Sequence, residues 1–347
     1  MEKKISNEEL ENKSKKEDKT MENVIKNRSE ILFVYDVTDA NPNGDPIDEN
    51  KPRIDEGTGI NIVTDVRLKR TVRDYLYDFK QQEIFVRGIP DENDKTKLET
   101  KEKRVAKFGS PDEVIKKCID VRLFGGTFAL KSDKKKSKKS ESEETEKEED
   151  KEVGAFSITG PVQFKFGRSL HKVDLTYIKG TTVMPSDKGK EQGTFTEKYI
   201  LPYSLIAFYG IVNENAAQNQ EFPLATEEDI KLLIEGIWNG TKNLISASKV
   251  GQMPRFLLQV VHKEKNFHIG ELDKRIKFVF TKNDKEIRAI TDGKIDITEL
   301  ISVLDKNKDK IEKIYYKADK YLSFVLDKKE IKLEDALKEF KPEVISF

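Results

Sequence analysis

Residues 31 to 80 place an apolar strand, a polar loop punctuated by glycine and proline, and a basic helix in immediate succession, a unit that puts backbone amides and guanidinium groups beside one concave spot. Ile31-Leu-Phe-Val-Tyr-Asp-Val37 is a short apolar run rich in β-formers and reads as a buried strand. The loop carries Asp39-Ala-Asn-Pro-Asn-Gly-Asp-Pro46 and then Pro52-Arg-Ile-Asp55. Thr64 or Asp65 can cap a helix running to about Lys80, with Leu68, Val72, Tyr75, Leu76 and Phe79 on one face and Arg67, Arg70 and Arg73 on the other. A glycine-containing turn before a helix N-terminus presents unpaired N–H groups to anions, and guanidinium groups beside it would hold phosphate oxygens. Three arginines opposite an apolar stripe are also what a plain solvated face looks like, so position in the unit is what argues for binding.

The rest of the chain is organised around this unit. Residues 1 to about 28 are Lys, Glu, Asn and Ser with scattered apolar residues, and such a composition predicts a disordered tail. Residues 131–152 join a lysine block to an acidic block and predict a disordered surface insertion. Pro111–Cys118 looks helical, and Ile119-Asp-Val-Arg-Leu-Phe-Gly-Gly126 leads into the insertion. Phe156–Phe166 alternates as a strand around the Gly160-Pro161 break, and Lys198–Val212, Arg255–His262 and Ile276–Thr281 read as further strands. Residues 180 to 198 predict a glycine-rich hairpin or extended loop. Thr226-Glu-Glu-Asp229 resembles a capping box opening an amphipathic helix to about Leu244, and from Thr298 the chain reads as mostly helical. Strands and helices interleave, so the class is α/β or α+β.

Several chemistries find little support. Lys plus Arg equals Asp plus Glu at 64 each, so any nucleic-acid site must be local. One cysteine, Cys118, excludes an internal disulfide, and His171, His262 and His268 lack the spacing of a zinc site, so no metal or cofactor is expected. Neither Gly-x-x-x-x-Gly-Lys-Ser/Thr nor Gly-x-Gly-x-x-Gly occurs in the loop. No stretch approaches the ~20 apolar residues of a membrane span, and the polar N-terminus is unlike a signal peptide, which predicts a cytoplasmic protein. The loop is crowded with Asp39, Asp45, Asp48, Glu49 and Asp55. A metal-dependent nuclease would use such carboxylates, but turns favour Asp for backbone hydrogen bonding without any catalysis.

The eight residues Asp39–Pro46 resemble the signature of the CRISPR-associated protein seven family, the RNA-coating backbone subunit of type I surveillance complexes, most closely its type I-B branch. Gly160-Pro-Val-Gln163 with Gly167-Arg-Ser-Leu170, and Ser248-Lys-Val-Gly-Gln-Met-Pro-Arg255, resemble two further family stretches. The resemblance spans most of residues 30 to 285; the insertion and the C-terminal region from 298 lie outside it. It implies an α+β, RRM-like (ferredoxin-like) palm with helical finger insertions, a protruding thumb at about 180–198, and C-terminal helices at about 298–345, in one domain from residue 29 to 347. It implies a noncatalytic subunit that polymerises along CRISPR guide RNA beside further copies of itself. Its partners would be a large subunit, a five-family cap subunit, a small subunit and a repeat-processing endonuclease, and it would meet target DNA through the guide. RNA-binding candidates are Asn41, Asn43, Gly44, Arg53, Arg67, Lys69, Arg70, Arg73, Arg122, Gln163, Arg168, Ser169, Lys249 and Arg255, with Met184 and Phe195 as wedges against bases. The rival readings are a metal-dependent ribonuclease of the type III kind using Asp39, Asp45 or Asp48, and a single-stranded nucleic-acid binder that does not assemble.

Overall fold

A computed structural model describes residues 23–131, 153–181, 195–218 and 224–347. Most of the expected tail, insertion and hairpin tip, namely residues 1–22, 132–152 and 182–194, lie outside the described residues.

The apolar run at 31–37 forms the middle of β1 (Ser29–Ala40), which is buried along almost its whole length. The other core elements in chain order are α1 (Asp65–Lys80), β2 (Gly167–Lys172), β3 (Phe195–Val212), α2 (Glu227–Lys242) and β4 (Gln252–His262). In the sheet β1 lies between β4 and β3, and β2 follows β3, all neighbours antiparallel. Side chains alternate across β1 with period two. Ile31, Phe33, Tyr35 and Val37 face Leu68, Val72 and Leu76 of α1 and Leu233, Ile234 and Ile237 of α2. Leu32 and Val34 enter a second core with Leu205, Phe256 and Leu258, closed by Ile295, Leu300, Leu304, Ile314 and Phe324 from the C-terminal region. Because both faces are covered, the run is apolar at every position but Asp36, whose buried carboxylate pairs with Arg255.

Local signals account for the helices. The Thr226 hydroxyl accepts from the Asp229 N–H and the Asp229 carboxylate accepts from the Thr226 N–H, completing the capping box at the start of α2. Helix α1 begins at Asp65 after a short strand, Ile60–Val63, and ends where Gln81 takes a left-handed conformation. Phe79, expected on its buried face, is half-exposed and stacks on Tyr75 at 5.1 Å. A third core gathers Phe85, Val105, Val114, Cys118, Val121, Phe128 and Ile158. Its frame is three short helices (Lys101–Phe108, Pro111–Lys117, Ile119–Phe124) and the antiparallel pair Gly125–Lys131 and Val153–Thr159, from which the 132–152 insertion departs.

Two expectations need correction. The C-terminal region is not mostly helical. Ile311–Ala318 is a strand paired with β4, burying Ile311, Ile314 and Tyr316, and Lys277–Phe280, Gly293–Asp296, Phe324–Leu326 and Lys329–Ile331 form a four-stranded sheet around the helix Thr298–Lys306. The packed chain also starts before residue 29. Val24 and Ile25 are buried, and the Arg28 guanidinium pairs with the buried Glu214 carboxylate at 2.8 Å. No described helix is long and apolar enough to cross a membrane.

Candidate nucleic-acid interface

At the C-terminal end of β1 the chain turns through Asp39, which holds a positive φ of 50°, into the polar loop. The Asn41 N–H donates to the Ser248 carbonyl at 2.9 Å, and the Thr38 N–H to the Gly251 carbonyl at 3.3 Å, so this loop lies against the one that follows α2. Gly251 adopts φ 98°, and a Cβ there would stand 2.7 Å from the Thr38 carbonyl oxygen. Two long-separated segments thus meet beside the first turn of α1.

The loop is tied internally. Asn41 Nδ2 donates to the Asn50 carbonyl at 2.6 Å. Arg53 donates to the Gly44 carbonyl at 2.6 Å and to the Asn43 carbonyl at 3.3 Å. Asn43 Oδ1 accepts from the Thr64 N–H at 2.9 Å and from the Thr64 hydroxyl at 2.8 Å, so the entry to α1 is satisfied by the loop and not by the Thr64 side chain as a cap. Gly44 has no room for a side chain, since a Cβ would sit 2.6 Å from the Asn50 carbonyl oxygen.

Two cations line this junction. Lys249 Nζ donates to the Asn41 carbonyl at 3.2 Å and to the Ser248 hydroxyl at 3.4 Å; Arg67 Nη2 donates to the Thr71 hydroxyl at 2.9 Å. Neither is ion-paired to a carboxylate among the described residues. Burial, and then the charge of Arg67, push the Lys249 pKa down, and burial likewise lowers that of Arg67 against the pull of Asp74. Nearby, the buried Asn41 Oδ1 has no hydrogen-bond partner. Unpaired, half-buried cations beside an unsatisfied polar group are what an anion with hydroxyls around it would complete.

The other candidates are placed differently. Lys69 pairs with Asp65 at 3.0 Å and reaches Gln163 Oε1 at 3.2 Å, while Gln163 Nε2 donates to the Gly160 carbonyl. Arg73 pairs with the buried Asp120 at 2.9 Å, and Arg122 grips Asp229 with two hydrogen bonds of 2.9 and 2.8 Å. Arg255 lies between Asp36 at 2.9 Å and Asp319 at 2.7 Å. Ser169 is buried and bonded to the Asn61 N–H and the His171 carbonyl. Arg70 and Arg168 are exposed, paired with Asp74 at 2.6 Å and Asp55 at 3.3 Å. The three α1 arginines therefore do not share one free face. Asn41, Asn43, Gly44, Arg53, Arg67 and Lys249 are brought together.

Met184 lies outside the described residues. Phe195 opens β3 opposite Thr181, at the outer end of an antiparallel pairing with Thr176–Thr181. This stem touches the loop through a contact not foreseen from sequence: the Tyr199 hydroxyl donates to Glu49 at 2.7 Å, and Lys51 sits 5.2 Å from the Tyr199 ring centroid. Nothing in a local pattern could reveal partners separated by 150 positions.

The loop acids have structural partners. Asp45 accepts from the Ile47 N–H and Asp55 from the Gly57 N–H, both at 3.1 Å, and Asp48 pairs with Lys51 at 2.6 Å. Among the described residues no group of three or more His, Cys, Asp or Glu could hold a metal ion. The buried Cys118 thiol is pushed up to about 12, chiefly by desolvation, which disfavours a thiolate nucleophile.

Residues 27–298 match the model of a protein family described as CRISPR-associated protein Cas7. The chain is 30% identical over 332 residues to the CRISPR-associated protein Cas7 of Haloferax volcanii, covering 89% of this chain and 92% of the relative. A solved chain described as "CRISPR RNA-guided surveillance complex, pre-nicking" aligns with a TM-score of 0.50 at 12% identity, covering 92% of this chain and 96% of that one, a likeness of fold. Another, described as "CRISPR RNA-guided surveillance complex", aligns with a TM-score of 0.48 at 12% identity over 92% and 95%.

Proposed function

The chain belongs to the CRISPR-associated Cas7 family, and from that premise we propose that it is a noncatalytic backbone subunit coating guide RNA in a CRISPR RNA-guided surveillance complex. The observation that carries this reading is the pair Arg67 and Lys249, two cations without carboxylate partners among the described residues, set where the signature loop meets α1. Contacts of this kind hold phosphate and ribose without reading sequence, which suits a guide whose spacer varies. The exposed bases then pair with target DNA and do the reading themselves.

The strand order β4-β1-β3-β2 with α1 and α2 on one face is that of a ferredoxin-like sheet and supports the RRM-like palm. The opposite face, which an aromatic-stacking RRM leaves open to bases, is covered by the C-terminal region, so the RNA path runs along the loop edge instead. The third core would belong to the fingers, and the Thr176–Thr181 stem to a thumb. The Asp39–Pro46 signature argues for the type I-B branch, with the partner subunits of such a complex in the cytoplasm.

Binding of several single-stranded RNAs of unrelated sequence over a range of salt concentrations tests this reading. It predicts similar affinities for all of them, a steep loss with salt, and no cleavage of RNA in magnesium. Sequence-dependent affinity or magnesium-dependent cleavage would overturn it.

A further inference from the structure

An open groove of about 310 Å3 runs beside α1, between that helix and the segment following α2. Thr71, whose hydroxyl receives Arg67 Nη2 at 2.9 Å, lines it, so the groove begins one turn of α1 beyond Arg67. One wall is a flat shelf. The Arg87 guanidinium stands 4.1 Å from the centroid of the Tyr77 ring, and Tyr77 is 39% exposed. Arg87 is weakly engaged: its nearest carboxylate, Glu83, is 3.9 Å away and is held more closely by Arg104, while Arg87 Nε has no hydrogen-bond partner. The other wall presents Leu244 and Ile245, the latter 84% exposed.

Asp74 and Asp78 also line the groove. Arg70 and Arg87 line it as well, and Arg70 pairs with Asp74, so the lining carries no net charge and gives a phosphate no net attraction into the interior. A flat, uncharged group tethered to a phosphate outside fits the combination of an aromatic-guanidinium shelf, an apolar wall and a lining without net charge.

We infer that this groove receives one nucleobase of the strand whose phosphate sits at Arg67 and Lys249, the base stacking on the Tyr77–Arg87 shelf opposite Ile245. This rests on the RNA-binding reading above. Stacking accepts any base, so the site adds affinity without adding sequence preference.

The experiment measures binding of a short single-stranded RNA that accommodates one copy of the protein, intact or with abasic sites, to the wild type, Tyr77→Ala, Tyr77→Phe and Arg67→Ala. The inference predicts that Tyr77→Ala weakens binding of intact RNA about tenfold with an unchanged salt slope, that Tyr77→Phe restores it, and that abasic RNA no longer distinguishes the variants. If Arg67→Ala lowers the salt slope while Tyr77→Ala binds intact RNA like the wild type, the groove holds no base and the RNA-binding reading stands. If Tyr77→Ala spoils only assembly of many copies and leaves single-copy binding unchanged, the groove seats a neighbouring protein and the inference fails. If the wild type binds no RNA at low salt, the underlying reading itself is wrong.

Discussion

The guanidinium of Arg67 and the ammonium of Lys249 stand close enough at the end of β1 that the charge of Arg67 lowers the Lys249 pKa, yet each is bonded only to neutral groups. Most of the other buried or half-buried cations considered for binding are committed to carboxylates, as with Arg73 on Asp120 and Arg122 on Asp229. An uncompensated pair of like charges half withdrawn from water destabilises the empty protein and is relieved when an anion arrives. That is a function–stability trade-off located in two residues.

Replacing Lys249 with Met should separate the two effects. The variant is expected to melt about 1–3 °C higher than the wild type and to bind RNA several-fold more weakly, with the salt slope reduced by about one. Calorimetry and anisotropy titrations read the two quantities, and a lower melting temperature with unchanged binding would make Lys249 a structural residue.

Arg67→Ala and Arg73→Ala should behave as opposites although they lie on one helix. Loss of Arg67 should lower the salt slope by about one and change stability by less than ~0.5 kcal/mol. Loss of Arg73 leaves the fully buried Asp120 carboxylate without its countercharge, held only by the Phe85 and Val86 N–H groups, and should cost about 3 kcal/mol in denaturant unfolding. Equal stability losses for the two would contradict the division drawn between them.

That contrast marks where the sequence stops being informative. The capping box at Thr226, the β1 run and the start of α1 are local patterns and could be read directly. Whether an arginine is free or spent depends on partners far along the chain: Asp120 is 47 positions from Arg73, and Asp229 is 107 from Arg122. The C-terminal sheet escaped for the same reason, because Gly293–Asp296 is four residues long and is held by parallel pairing to Phe324–Leu326. The lysine-rich character of that region resembled exposed helix, while the buried Ile311, Ile314 and Tyr316 of the strand pack on a sheet formed much earlier in the chain.

Gly44→Ala should destabilise the loop by about 2 kcal/mol, because the added methyl meets the Asn50 carbonyl oxygen that Asn41 also uses. Thermal unfolding checks the size, and a cost under ~0.5 kcal/mol would mean that the loop gives way easily and does not hold Asn41 in place.

The pH dependence has a defined sign. Lys249 has a lower pKa in the folded protein than the ordinary 10.5, so between the two values the folded state binds fewer protons and stability rises with pH. A bound phosphate favours the ammonium, so RNA binding should take up a proton in the same window and weaken as pH rises toward 10.5. Titration calorimetry in two buffers of different ionisation enthalpy measures the uptake, which should vanish in Lys249→Met; identical proton uptake in the variant would assign it elsewhere.

Whether the protein coats RNA is read from the mass of the particles formed when the full chain is mixed with a guide-length single-stranded RNA at low salt and examined by light scattering. A backbone subunit should give elongated particles holding several copies per RNA, dissociating as salt is raised and failing to form when Arg67 and Lys249 are both replaced. A single copy per RNA at every protein concentration, or assembly unaffected by the double replacement, would contradict that role.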